Sequence, residues 1–76
     1  MTEKTMFNRL SKVYKREYGD VLTDEWYANP NDQPNIWKFR RPSKEMTVVM
    51  ELSEDGKKVS ITESFPNSES FYKVNV

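Results

Sequence analysis

The stretch Met46-Thr47-Val48-Val49-Met50-Glu51-Leu52-Ser53-Glu54-Asp55-Gly56-Lys57-Lys58-Val59-Ser60-Ile61-Thr62-Glu63-Ser64 decides how this chain folds. Its first seven residues alternate, with Met46, Val48, Met50 and Leu52 on one side and Thr47, Val49 and Glu51 on the other. Period two marks a strand, because successive side chains leave opposite faces of a pleated backbone. Ser53 to Lys57 carries an Asp55-Gly56 turn signal. Lys58 to Ser64 then alternates again, Val59 and Ile61 opposing Lys58, Ser60 and Thr62. A link this short joins only antiparallel strands.

Working upstream, Ile36 to Arg41 reads as a further strand, with Trp37 and Phe39 opposed to Ile36, Lys38 and Arg40. Pro42-Ser43-Lys44-Glu45 is the turn that joins it to Met46, so strands at 36–41, 46–52 and 58–64 form a meander. Residues 28–35 are a loop, dense in turn formers and broken by Pro30 and Pro34. Glu25-Trp26-Tyr27-Ala28 fits a short strand or a helical turn equally. Downstream, the tail 68–76 is either a short helix presenting Phe71 and Val74 or a fourth strand.

Residues 3–18 have a different period. Met6, Phe7, Leu10, Val13, Tyr14 and Tyr18 recur at steps of three and four, which draws one apolar stripe along a helix. Thr2 suits an N-cap, Gly19 a left-handed C-cap, and Lys15 and Arg16 lie where the macrodipole favours cations. The expected architecture is therefore α+β over one domain, residues 1–76. One N-terminal amphipathic helix covers the Trp37, Phe39, Val48, Met50, Val59 and Ile61 face of a three-stranded antiparallel meander, four-stranded if the tail joins. The other sheet face is left to solvent, which antiparallel sheets tolerate.

Composition narrows the chemistry. Of 76 residues, 36% are hydrophobic, and twelve Lys plus Arg balance twelve Asp plus Glu. A mean hydropathy of −0.90 is low. Zero net charge and ten aromatic residues nevertheless favour a folded chain over a disordered one. With no Cys and no His, there is no disulfide framework, thiolate, imidazole base or His-based zinc site. Two glycines, Gly19 and Gly56, are too few for a phosphate-cradling loop. The carboxylates Asp24-Glu25, Glu54-Asp55, Glu63 and Glu69 match no calcium-loop spacing. No catalysis, no metal and no cofactor are expected. No apolar run is long enough to span a membrane, and the polar start Met1 to Thr5 is unlike a signal peptide, so the expected location is cytoplasmic.

Two surfaces suggest binding. Trp37-Lys38-Phe39-Arg40-Arg41, with Trp26-Tyr27 one loop upstream, interleaves rings and cations as a single-stranded nucleic-acid platform does. Strand alternation alone produces the same pattern, sending the rings to the core and the cations outward. Protein binding is the leading expectation, with Trp26, Tyr27, Lys38, Arg40, Arg41, Val49 and Thr62 as contact residues on the open face and adjoining loop. The alternative is weak nucleic-acid binding by Arg9, Lys12 and Arg16 of the helix with Lys38, Arg40 and Arg41. The open face could equally support a homodimer, and an exposed edge strand could pair with a partner.

In size and layout, though in no diagnostic motif, the chain resembles many small proteins carried by bacteria and their phages. That resemblance implies a modulator of a host protein. The neutral total also hides a division. Residues 1–43 hold eight cations against six acids, and residues 44–76 hold four against six. A mildly dipolar surface of this kind is better suited to orienting on a protein than to gripping a polyanion.

Overall fold

The helical stripe forms α1, Glu3–Tyr18. Thr2 caps its start, accepting from the Thr5 N–H at 3.1 Å. Gly19 ends it at φ 83°, a left-handed conformation, and donates its N–H to the Lys15 carbonyl. Both ends and the full span agree with the periodicity of residues 3–18. A computed structural model describes residues 2–19, 25–28, 33–41 and 45–76. Of the loop expected at 28–35, Ala28 is instead the end of a strand and positions 29–32 lie outside the described residues, as do positions 42–44 of the turn expected at 42–45.

Among the described residues five strands follow the helix: β1 Glu25–Ala28, β2 Ile36–Arg41, β3 Met46–Leu52, β4 Lys58–Phe65 and β5 Ser68–Asn75. They form one antiparallel meander in chain order. The helix-on-meander architecture is the expected one, with two strands beyond the three read from alternation. Residues 25–28 resolve to strand, pairing Trp26 with Phe39 and Ala28 with Trp37. The tail also resolves to strand, pairing Val59 with Val74 and Ile61 with Tyr72. Only Pro66-Asn67 separates β4 from β5. Proline at the first turn position presets the reversal, and so tight a link places the tail beside β4.

Asp55-Gly56 serves its turn in a wider loop than a two-residue hairpin. Gly56 sits at φ 72° and donates to the Ser53 carbonyl, while the Ser53 N–H donates to the Lys58 carbonyl. The Asp55 carboxylate accepts from the Ser53 hydroxyl and the Lys57 N–H, and these two bonds hold its carboxyl below the usual carboxylate range.

The core is the interface between α1 and one sheet face. Leu10, Val13 and Tyr14 meet Phe39, Val48, Met50, Val59 and Ile61, none more than 1% exposed. Each sheet residue in that set comes from the face that alternation assigned to the interior. Tyr14 stands edge-on to Phe39, with ring centroids 4.1 Å apart, a geometry aromatic quadrupoles favour. Trp37 is half-buried at the margin of this core, edge-on to Phe7 at 4.7 Å.

Candidate functional site

With α1 covering one face, the opposite face carries the even residues of β2 and β4 and the odd residues of β3 and β5. The strand pairings arrange them in rows. Tyr27 pairs with Lys38, Lys38 with Val49, Val49 with Thr62, and Thr62 with Phe71. One row therefore crosses all five strands, over about 19 Å at the usual strand spacing. Val49 and Thr62 are half-buried within it, and Phe71 at its end is 60% exposed. Beside it runs a second row, Arg40, Thr47, Ser64 and Glu69, and on the other side a third, Ile36, Glu51, Ser60 and Lys73. The central row is thus mixed, Val49 and Phe71 standing with Lys38 and Thr62, and the rows beside it carry charges of both signs.

Of the residues singled out from sequence, Tyr27, Lys38, Val49 and Thr62 share the central row, and Arg40 sits in the next. Trp26 takes a different register position, paired with Phe39. Arg41 is also displaced from the open face. It is 8% exposed on the helix side, with its guanidinium 5.8 Å from the Tyr14 ring centre and 5.3 Å from that of Tyr18. Alternation explains this, since Arg41 shares parity with Phe39 and Trp37. Its planar cation is accommodated there by two aromatic faces.

The cations of the nucleic-acid alternative do not converge. Arg9 donates to the Gly56 carbonyl at 3.1 Å. Arg16 donates to the Asn75 carbonyl and pairs with Glu17. Both lie on the helix side, whereas Lys38 and Arg40 lie across the sheet from them. A phosphate backbone following one set does not reach the other.

A polar cluster that alternation could have flagged sits where α1 ends. Glu63 shares a face with Val59 and Ile61, so its carboxylate is directed toward the helix and requires donors. The Tyr18 hydroxyl donates to it, the Ser70 hydroxyl donates to it at 2.9 Å, and the Tyr72 hydroxyl lies 3.1 Å from that of Tyr18. Burial, reinforced by the Glu63 carboxylate, raises the Tyr18 pKa far above its ordinary value near 10. Burial raises Tyr72 as well. Phenols so held stay protonated, which suits them to tying the helix to β4 and β5 rather than to acting as bases near neutral pH.

Among the surface recesses, one gathers Arg40, Arg41, Glu45 and Thr47 beside Met46 and Pro66. A second is lined by Glu3, Lys4, Phe7 and Trp37, and a third by Met6, Pro34, Asn35, Leu52, Ser53 and Glu54. Among the described residues, no three carboxylates come together to hold a metal ion. Nor is any helix there long and apolar enough to cross a membrane. Compared with protein-family models, curated proteins and solved structures, the chain matches none.

Proposed function

We propose that this chain is a non-catalytic protein-binding domain and that it meets its partner with the helix-free face of the sheet. The observation that carries this reading is the central row, Tyr27, Lys38, Val49, Thr62 and Phe71, in register across five strands. Protein contact surfaces combine an apolar centre with a polar rim, and their energy concentrates in aromatic and Arg anchors. Phe71 supplies exposed aromatic area, and Arg40 supplies a cation one row away. A partner that fits presents an apolar side chain to Val49 and Thr62 and a carboxylate toward Arg40.

The test compares two variants in capture experiments from the cells that make the protein. Val49→Glu puts a carboxylate in the centre of the row, opposite Lys38, where the fold tolerates it by charge pairing. Lys12→Glu alters an exposed position on α1. Loss of a captured protein with Val49→Glu, and its retention with Lys12→Glu, supports the reading. Equal capture by both folded variants overturns it.

A further inference from the structure

The free edge of β5 has a self-complementary pattern. Val76 donates its N–H to the Lys57 carbonyl at 2.9 Å, which makes 57–76 a hydrogen-bonded pair. Antiparallel alternation along the β4–β5 register then bonds Val74, Tyr72 and Ser70 to β4. The N–H and C=O groups of Glu69, Phe71, Lys73 and Asn75 consequently point away from the sheet. The Asn75 carbonyl accepts from Arg16, in keeping with that direction. β5 is the last strand of the sheet among the described residues, so Glu69, Phe71 and Lys73 present a row of backbone donors and acceptors with no described strand beyond them. The strand runs eight residues without a proline, the kind of edge that invites pairing.

We propose that a second copy of this chain pairs there, β5 against β5, antiparallel and centred on Phe71. A two-fold axis through that residue sets Phe71 opposite Phe71 and Glu69 of each copy opposite Lys73 of the other. Every outward backbone group of the three residues then has a partner. The exposed Phe71 ring gains an aromatic neighbour on the same face, and two cross-strand ion pairs flank it. Other registers lose this match. A slide of two residues one way sets Phe71 against Glu69 and Lys73 against Asn67. The opposite slide sets Phe71 against Lys73 and Glu69 against Asn75. Odd slides bring outward groups against groups already bonded to β4. The centred register makes an isologous dimer with one continuous sheet and both helices on the same side of it. It shares Phe71 with the protein-binding reading but not Val49, so the Val49→Glu capture result and the mass measurement below can fail separately.

The experiment is light scattering and sedimentation over a concentration series of the whole chain. The mass is expected to rise from 9.1 kDa toward twice that value. Glu69→Lys and Lys73→Glu each replace both ion pairs by like charges, weakening the dimer roughly tenfold. An equimolar mixture of the two variants restores it, since one copy then carries Lys at both positions and the other carries Glu at both. Phe71→Pro removes an outward N–H that the monomer does not use, so it yields a folded monomer by circular dichroism. A wild-type mass that stays at 9.1 kDa throughout overturns the proposal. So does a dimer that the charge variants leave unchanged, or a mixture no stronger than its components.

Discussion

The Tyr18 hydroxyl gives the fold a signature at alkaline pH. In the folded chain its proton is held by burial and by the Glu63 carboxylate, so its pKa lies well above the unfolded value near 10. A folded pKa raised in this way leaves stability unaffected below pH 10. Above it the unfolded state releases the proton and the folded state keeps it, so stability falls as pH rises. One fully shielded group of this kind costs ~1.4 kcal/mol by one pH unit above 10. Solvent reaches part of the Tyr18 side chain, and screening reduces this to about 1 kcal/mol. Tyr18→Phe abolishes that loss together with the hydrogen bond. Near pH 7 the variant is less stable by about 2 kcal/mol, the usual value of a bond to a charged acceptor. By pH 11 the difference narrows to about 1 kcal/mol. The assay is urea denaturation of both proteins, followed by tryptophan fluorescence at a series of pH values. A difference that does not change between neutral and alkaline pH would refute the reasoning, because Tyr18 would then titrate alike in both states.

Three further outcomes are expected. Gly19→Ala meets no atom within 4 Å, so its whole cost is the left-handed backbone at φ 83°. That cost is about 1 kcal/mol, a drop of roughly 5 °C in Tm by differential scanning calorimetry. Phe39→Ala empties the centre of the core, where the ring meets Tyr14 with no exposure, and costs about 3–5 kcal/mol by urea denaturation. Labelled single- and double-stranded oligonucleotides should give flat fluorescence anisotropy at low salt, since Arg9 and Arg16 lie across the sheet from Lys38 and Arg40. A rise that collapses with added salt would restore the nucleic-acid reading.

Alternation and helical period were enough to specify α1, the three central strands and the face they bury. Each of those segments is long, and its periodicity points to one secondary structure. The outer strands were harder to read for separate reasons. Glu25–Ala28 is too short for its period to distinguish strand from turn. In Ser68–Asn75 the interior-facing positions are Ser68, Ser70, Tyr72 and Val74, only two of them apolar, so alternation carries little signal. Its place in the sheet comes from the tight Pro66-Asn67 link and from pairing with β4. The binding row inherits that difficulty, because Phe71 joins Val49 and Thr62 only once the tail is a strand. Arg41 shows the opposite case. Its parity with Phe39 marked it for the interior, while its charge suggested the surface, and two tyrosine rings make the interior position tolerable.

The claim that the helix-free face is the contact surface is tested most directly by site-specific crosslinking in the cells that make the protein. A photoreactive residue in place of Thr62 lies in the central row, and one in place of Lys12 lies on the outer side of α1. The account predicts a discrete adduct with another protein from position 62 and only background from position 12. Adducts of equal yield from both positions, or from position 12 alone, would contradict it.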